Sequence, residues 1–202
     1  MRRYDAILFD FDGVLLDSEP IHAACWAEVL APLGVKLSWE DYSARYVGMD
    51  DRIMLRQIAA EAVPPRDWEL LWAQYPAKKE LFRRKVGDPP FPEKLAGLLQ
   101  QLHPQYPLAV VSSSSRIEIE PPLAVRNLRR YFDALVSGED VERHKPAPDP
   151  YLLAARMLSV QKPLVVEDSD PGVASAQAAG FAVLRVKCAA EMPDRLLTCL
   201  EG

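Results

Sequence analysis

Unbroken apolar runs recur along the chain, and segments with helical spacing of apolar residues separate them. The runs cover residues 6–9, 107–111, 134–136, 164–166 and 182–186. Runs without alternating polar residues are typical of strands buried on both faces of a sheet. Helical patterns lie at residues 92–102, 118–130, 150–158 and 171–179. Strands that alternate with helices predict an α/β fold, with a parallel sheet covered on both faces and ligands at the carboxyl ends of its strands.

The segment between the first and second apolar runs is too long for a simple strand–helix–strand unit. Roughly 95 residues separate the first run from the second, whereas a strand–helix–strand unit needs about 30. The inserted segment has helical patterns at residues 18–33, 38–46, 50–62 and 66–86, and Pro76 should kink or split the last of them. We therefore predict an α-helical cap domain at residues 15–87. It interrupts a core domain made of residues 1–14 and 88–202, with the return hinge at residues 87–90.

Composition and charge narrow the class of protein. The 202 residues are 49% hydrophobic and 26% charged, which is ordinary for a globular protein with a full core. The formal net charge of -5 argues against a nucleic-acid-binding surface. No apolar stretch approaches the ~18 residues of a membrane-spanning helix. We expect no nucleic-acid or membrane partner, and no apolar helix face decides between a monomer and a homodimer.

The cysteines and the N-terminal segment indicate the compartment. Cys25, Cys188 and Cys199 have neither metal-ligand spacing nor the pattern of a disulfide framework. The first apolar run ends at Asp10 and is too short for a secretion signal. We therefore expect a cytoplasmic protein with reduced thiols.

Acidic side chains follow the first and fourth predicted strands. Asp10 and Asp12 come directly after the first strand, with Gly13 beside them, and Glu167 and Asp168 end the fourth. Because the ends of parallel strands meet at one edge of a sheet, these acids should cluster around a hard cation. Oxygen ligands suit Mg²⁺. A solvated turn is the alternative for either pair alone, and two acidic strand ends in one chain weaken it.

Hydroxyl and ammonium groups stand in two further loops. Four serines at residues 112–115 follow the second predicted strand, where hydroxyls and free amides before a helix form an anion site. A serine-rich helix cap is the alternative. Lys145 lies in a proline-rich loop that would hold it, and a solvated lysine is the alternative. A carboxylate nucleophile, a cation site, anion donors and a lysine together match the needs of phosphoryl transfer.

Four motifs occur in the order found in the haloacid dehalogenase superfamily. They are residues 10–19 (DFDGVLLDSE), Ser112, residues 145–149 (KPAPD) and residues 167–169 (EDS). The chain resembles the group of that superfamily in which a helical cap follows the first motif. The resemblance implies a Rossmann-like α/β core, in which a parallel sheet carries helices on both faces, plus an inserted α-helical cap domain.

The resemblance also implies roles for the motif residues. Asp10 would attack phosphorus and become an aspartyl phosphate. Asp12 would protonate the leaving oxygen and then deprotonate water. Ser112 and the amide of Ser113 would bind phosphate, and Lys145 would bridge phosphate and nucleophile.

A metal site is implied in the same way. Mg²⁺ would be held by the Asp10 carboxylate, the Asp12 backbone carbonyl and the Asp168 carboxylate. Glu167 would assist, either directly or through a water molecule. Its part would be to neutralise charge and orient groups. The implied partner is a small phosphorylated metabolite.

Three cap residues are implied as substrate-binding: His22, Arg52 and Lys78. His22 has an equal alternative as a helix-face residue, and Lys78 as a solvated lysine, while Trp26 is interpreted as a core residue. Mutase relatives carry an arginine at the place of Asp51, and here the arginine comes one position later. This departure argues against tight binding of a second phosphate.

The predicted function is therefore a Mg²⁺-dependent phosphatase of small phosphorylated metabolites, sugar phosphates first, acting through an aspartyl-phosphate intermediate. A mutase of the β-phosphoglucomutase type is the alternative, because cap closure rather than one residue separates the two activities. A non-catalytic binding module is disfavoured because the motif acids are all present. A dehalogenase is disfavoured because those relatives lack the metal and the second Asp.

Overall fold

Five strands form one parallel sheet in residues 3–87 and 89–202, the part of the chain that the computed structural model describes. They are β1 (Ile7–Phe9), β2 (Leu108–Val111), β3 (Ala134–Val136), β4 (Leu164–Glu167) and β5 (Ala182–Arg185). The order is β3-β2-β1-β4-β5, so β1 is central. Each strand overlaps one predicted apolar run, which confirms the parallel α/β sheet.

The register brings the ends of three strands together. Phe9, the last residue of β1, pairs with Val110 of β2 on one side and with Val166 of β4 on the other. The residues that follow, among them Asp10 and Ser112, therefore lie side by side at one edge of the sheet.

The helices fall into two groups along the chain. Those between β1 and β2 that form the insert are α1 (Glu19–Leu30), α2 (Trp39–Arg45), α3 (Asp51–Glu61), α4 (Trp68–Trp72) and α5 (Tyr75–Lys85). Those around the sheet are α6 (Leu95–Leu102), α7 (Arg116–Val125), α8 (Asp149–Leu158), α9 (Asp170–Ala178) and α10 (Met192–Glu201).

Helices cover both faces of the sheet, as predicted. One face packs against α6, α7 and α10, and the other against α8 and α9. Buried residues of the first face include Phe9, Val110, Leu99, Ile119 and Leu196. Those of the second include Leu8, Val111, Tyr151 and Ala176. The sheet is thus the middle layer of a three-layer core.

Two core helices differ from the sequence prediction. Helix α7 ends at Val125 rather than at residue 130, because Asn127 has a left-handed backbone (φ 54°) that stops a helix. Helix α10 is not among the predicted helices, although Met192 and Leu196 on it are buried.

The inserted helices have an apolar cluster of their own. It contains Trp26, Leu30, Tyr42, Leu55 and Leu71. The predicted helix at residues 66–86 is divided, as the proline implied, and the break falls between α4 and α5. Pro76 lies in the first turn of α5, where its missing N–H has no partner to lose.

The boundaries of the predicted domains stay a prediction, and Asp88 of the return hinge lies outside the described residues. Within the described part of the chain, no helix combines the length and the apolar character needed to cross a membrane.

Candidate active site

Lys145 joins three strand ends at the bottom of the site. Its Nζ donates hydrogen bonds to Asp10 Oδ1 and to Glu167 Oε1, each at 2.6 Å, and to the carbonyl of Val111 at 3.1 Å. The lysine side chain is 3% exposed. A buried ammonium is stable only with such partners, and burial, which lowers the pKa of Lys145, is outweighed by Asp10 and Glu167, which raise it. Lys145 is therefore a held cation next to Asp10.

Three carboxylates form a cluster that suits a cation. Asp10, Glu167 and Asp168 each bring an oxygen within 4.8 Å of the others. Burial raises the pKa of Asp10 well above its usual range. Lys145 opposes this rise, and the charges of Glu167, Asp168 and Asp12 add to it. Burial and the charge of Glu167 raise the pKa of Asp168 to about 8. Acids that repel one another in this way, with oxygen donors only, fit Mg²⁺.

Gly13 makes room for one of these acids. A Cβ at this position would lie 2.1 Å from Asp168 Oδ2, and the backbone φ of Gly13 is +78°. Both facts require glycine. The glycine of the first motif therefore lets the loop after β1 approach the end of β4.

Glu167 is already occupied by hydrogen bonds. Its Oε1 accepts from Lys145 and from the Tyr151 hydroxyl at 2.8 Å. Its Oε2 accepts from the amides of Asp168 and Ser169, at 3.0 and 3.1 Å, and from the Ser169 hydroxyl. Because both oxygens already accept hydrogen bonds, this carboxylate is better placed to hold Lys145 than to bind a metal ion directly.

Four donors surround the Asp12 carboxylate. Ser18 Oγ donates to Oδ1, and His22 Nε2 lies 3.1 Å from the same oxygen. Ser114 Oγ donates to Oδ2 at 2.7 Å, and Ser112 Oγ lies 3.3 Å from it. Ser18 and His22 belong to the start of the insert, and the other two follow β2. Asp12 thus lies between cap and core.

These donors hold Asp12 in its charged form. Burial raises its pKa, but the charge of His22, together with hydrogen bonds from His22, Ser18 and Ser114, lowers the pKa below its usual range. The same contact has the opposite effect on the pKa of the His22 imidazole. Burial and Lys78 lower the pKa of His22, and Asp12 and Glu118 reverse this, so the net pKa is raised. The His22 ring also stacks on Phe82, with centroids 4.1 Å apart.

Two further carboxylates face the site from the cap. Glu19 accepts hydrogen bonds from the Tyr42 hydroxyl at 2.9 Å and from the Gly48 amide at 3.2 Å. Asp51 accepts from Trp26 Nε1 at 2.8 Å and from Lys78 Nζ at 3.2 Å. Trp26 is buried in the cap cluster, as expected of a core residue.

The cap is seated on the core over a small cavity. The cavity measures about 40 Å³ and is lined by groups from both parts, including Asp10, Asp12, Asp51 and Ser113. A water needs roughly 10–15 Å³ by the same measure, so there is room for a few waters but not for a sugar ester. We call this arrangement closed because the inserted helices lie over the strand ends, and a substrate of that size would need them to move.

Most of the predicted site residues meet at this cavity. Its lining includes Asp10, Asp12, His22, Lys78, Ser112, Ser113 and Lys145. The two remaining acids, Glu167 and Asp168, each have an oxygen within 4.8 Å of an Asp10 oxygen. Arg52 does not line it. The guanidinium lies 4.9 Å from the Trp72 ring centroid, in a neighbouring cavity, and Asp51 takes the place beside Lys78.

Sequence reasoning missed several polar groups of the site. Ser114 belongs to the serine run, but only the fold shows that its hydroxyl, and not that of Ser113, reaches Asp12. Glu118 stands three residues after Ser115, a spacing that indicates a helix cap and nothing more. Its contact with Lys78, 40 positions earlier, has no local signal.

Comparison with known proteins adds independent findings. Residues 7–186 match the family model described as haloacid dehalogenase-like hydrolase. The fructose-1-phosphate phosphatase of Escherichia coli is 34% identical over 189 residues, covering 92% of this chain and 97% of that protein. A phosphorylated carbohydrates phosphatase of Thermotoga maritima is 32% identical over 88% of this chain and 82% of its own length. The solved structure of CbbY from Rhodobacter sphaeroides in complex with phosphate has a TM-score of 0.77 and 26% identity, covering 92% of this chain and 87% of its own.

Proposed function

Since this chain belongs to the haloacid dehalogenase-like hydrolase family, we propose that it is a Mg²⁺-dependent phosphatase of sugar phosphates that works through an aspartyl phosphate at Asp10. The chain is a phosphoric monoester hydrolase, given its family and its phosphatase relatives at 34% and 32% identity. The observation that carries the mechanism is the buried contact of Lys145 with Asp10, beside an acid cluster and four donors around Asp12.

In the first step, a carboxylate oxygen of Asp10 attacks phosphorus and the ester P–O bond breaks. Asp12 supplies a proton to the leaving oxygen. Asp12 is charged in the closed cavity, so it must first gain that proton. The negative phosphate group beside it supports this change, because a like charge raises the pKa of a carboxyl.

In the second step, Asp12 is again a base. It takes a proton from water, the water oxygen attacks the aspartyl phosphate at phosphorus, and the bond from phosphorus to Asp10 breaks. Inorganic phosphate and free Asp10 result. The hydroxyls and imidazole that lower the pKa of Asp12 suit this base form.

Lys145, the Ser112 hydroxyl and the Ser113 amide are proposed to bind the phosphoryl oxygens. Mg²⁺ would be held by Asp10, Asp168 and the Asp12 carbonyl, with Glu167 behind them. When bound, the ion supplies charge neutralisation and orientation. Glu167 then keeps Lys145 aligned through their 2.6 Å contact.

The cap lining supports a hydroxyl-rich leaving group. It presents two carboxylates, Glu19 and Asp51, while the ammonium of Lys78 is already paired. A second phosphate would meet like charge here, whereas sugar hydroxyls can donate to Asp51. His22 and Lys78 are proposed to contact the substrate directly. Arg52 would do so only with the cap moved.

The substrate class and the location of the enzyme are also proposed. Two phosphatases of phosphorylated sugars are among its relatives, which supports that class of substrate. Three free thiols support a cytoplasmic location.

The test is phosphate release from a panel of sugar phosphates and other monoesters, with Mg²⁺ or with EDTA. β-Glucose 1-phosphate is run with and without a bisphosphate primer. We expect Mg²⁺-dependent release from several sugar monophosphates and none from Asp10→Asn. Conversion of β-glucose 1-phosphate to glucose 6-phosphate with little free phosphate would contradict the phosphatase proposal in favour of a mutase.

A further inference from the structure

One carboxylate of the core receives two side chains of the cap. Glu118 lies in the first turn of α7, and its Oε1 is 2.7 Å from Lys78 Nζ on α5. His22 Nδ1, on α1, lies 3.9 Å from the same oxygen. The side chains of Glu118 and Lys78 are each 1% exposed. The contact is therefore buried at the seam between cap and core.

The cap side of this contact is braced. Lys78 also contacts Asp51 at 3.2 Å, and Asp51 is held by Trp26. Both partners of Asp51 belong to the cap, so the pair of Lys78 and Asp51 moves with the cap as it opens. Glu118 alone in this group stays with the core. Opening the cap therefore separates Lys78 from Glu118 and exposes both charges to water.

Glu118 uses its two oxygens for different tasks. Oε2 accepts from the backbone amide of Ser115 at 3.1 Å and from the Ser115 hydroxyl at 2.6 Å, which caps α7. Oε1 faces Lys78. A glutamine at this position can keep the hydrogen bonds that cap the N-terminus of α7, because capping boxes accept Glu or Gln. It removes the negative charge that faces Lys78.

We propose that Glu118 is a positioning residue that anchors the closed cap through Lys78. The charge seats Lys78 and His22 over the cavity, and His22 in turn meets Asp12. A contact present in the closed state and absent in the open state biases the equilibrium between them. The kinetic consequence rests on the proposed phosphatase function; the conformational consequence does not.

The experiment compares Glu118→Gln with Glu120→Gln. Glu120 is on the same helix, pairs with Arg116 at the surface and is 45% exposed, so its variant removes the same charge away from the seam. The first readout is small-angle X-ray scattering without substrate. E118Q is expected to increase the radius of gyration, and E120Q to leave it at the wild-type value.

The second readout is steady-state phosphate release with Mg²⁺. Since the competent closed state is less populated, E118Q should lower kcat/KM by about tenfold or more. The increase in KM should be larger than the decrease in kcat. E120Q should stay within about twofold of wild type. Circular dichroism should show equal helix content in both variants, because the N-terminal capping hydrogen bonds of α7 are kept.

A Lys78→Met background tests whether Glu118 acts through Lys78. There, E118Q should add little further expansion. If E118Q folds, a radius equal to that of E120Q overturns the anchor, as does an equal expansion with and without Lys78. If E118Q does not fold, Lys78→Met alone must expand the protein, and a wild-type radius overturns the proposal. Absence of phosphate release from wild type would sink the phosphatase proposal but leave the scattering test intact.

Discussion

Lys145 Nζ lies 2.6 Å from Asp10 Oδ1, across 135 positions of sequence. The contact joins the loop before α8 to the end of β1 and leaves the ammonium buried. It places a positive charge where a phosphoryl group would arrive, and it offsets the mutual repulsion of Asp10, Glu167 and Asp168. We therefore expect both phosphate binding and stability to depend on Lys145.

Replacing Lys145 should destabilise the fold. Lys145→Met leaves buried carboxylates without their cation, and removing one partner of a buried pair costs about 3–5 kcal/mol. Urea unfolding without Mg²⁺ measures this loss. Lys94→Met is the matched control, because Lys94 pairs with Asp194 at the surface and should cost only ~0–1 kcal/mol. Equal losses from the two variants would contradict the account.

Gly13→Ala should damage the cation site. The added Cβ would lie 2.1 Å from Asp168 Oδ2, in a backbone with φ +78°, so Asp168 must move. We expect a loss of about 1–3 kcal/mol in stability and weaker Mg²⁺ binding by calorimetry. Gly97→Ala is the control, since nothing lies within 4 Å of its Cβ and the position is helical. That variant should gain up to about 1 kcal/mol.

We expect Mg²⁺ binding to depend on pH because of Asp168. Its pKa is raised to about 8 in the metal-free protein, so between its ordinary pKa and this value the folded chain binds a proton that the unfolded chain has lost. Stability without Mg²⁺ should therefore fall as pH rises through this window. Because Mg²⁺ displaces that proton, its affinity should rise by up to about tenfold per pH unit below pH 8.

Thermal unfolding at pH 6 and pH 8.5, with and without Mg²⁺, measures both effects. The rise in Tm on adding Mg²⁺ should be larger at the higher pH, and Asp168→Asn should lose most of that difference. A Mg²⁺ shift that is the same at both pH values in wild type would rule out Asp168 as the proton competitor.

Ser114 should matter more than its neighbour. Ser114 Oγ donates to Asp12 Oδ2 at 2.7 Å, and a hydrogen bond to a charged group is worth about 1.5–3 kcal/mol. Because this bond orients Asp12 and stabilises the base form that the second step needs, Ser114→Ala should lower kcat by about tenfold or more. Ser113→Ala keeps the backbone amide that is proposed to bind phosphate, so it should keep most of kcat. A larger loss in S113A than in S114A would reverse these roles.

The sequence predicted the features that depend on local patterns. Apolar runs located the strands, and the acids after β1 and β4 indicated the shared edge. Pro76 marked a break that the structure confirms near residues 73–74. These features follow from periodicity and backbone chemistry, which a single chain segment carries by itself.

Long-range contacts were out of reach for the same reason. Nothing near Glu118 indicates that it meets Lys78, and nothing near Ser114 indicates that it meets Asp12. Arg52 was expected to bind substrate because mutase relatives carry an arginine one position earlier, yet the side chain of Asp51 lines the cavity and Arg52 lies on Trp72. Such outcomes depend on how the cap docks on the core.

The most direct test of the central claim is to trap the intermediate. The wild-type enzyme is mixed with Mg²⁺ and the best sugar phosphate of the panel, quenched in acid, digested and analysed by mass spectrometry. We expect one added phosphoryl group on the peptide containing Asp10, and none in Asp10→Asn. Rapid turnover with an unmodified Asp10 peptide, or Mg²⁺-dependent turnover by Asp10→Asn, would contradict covalent catalysis at Asp10.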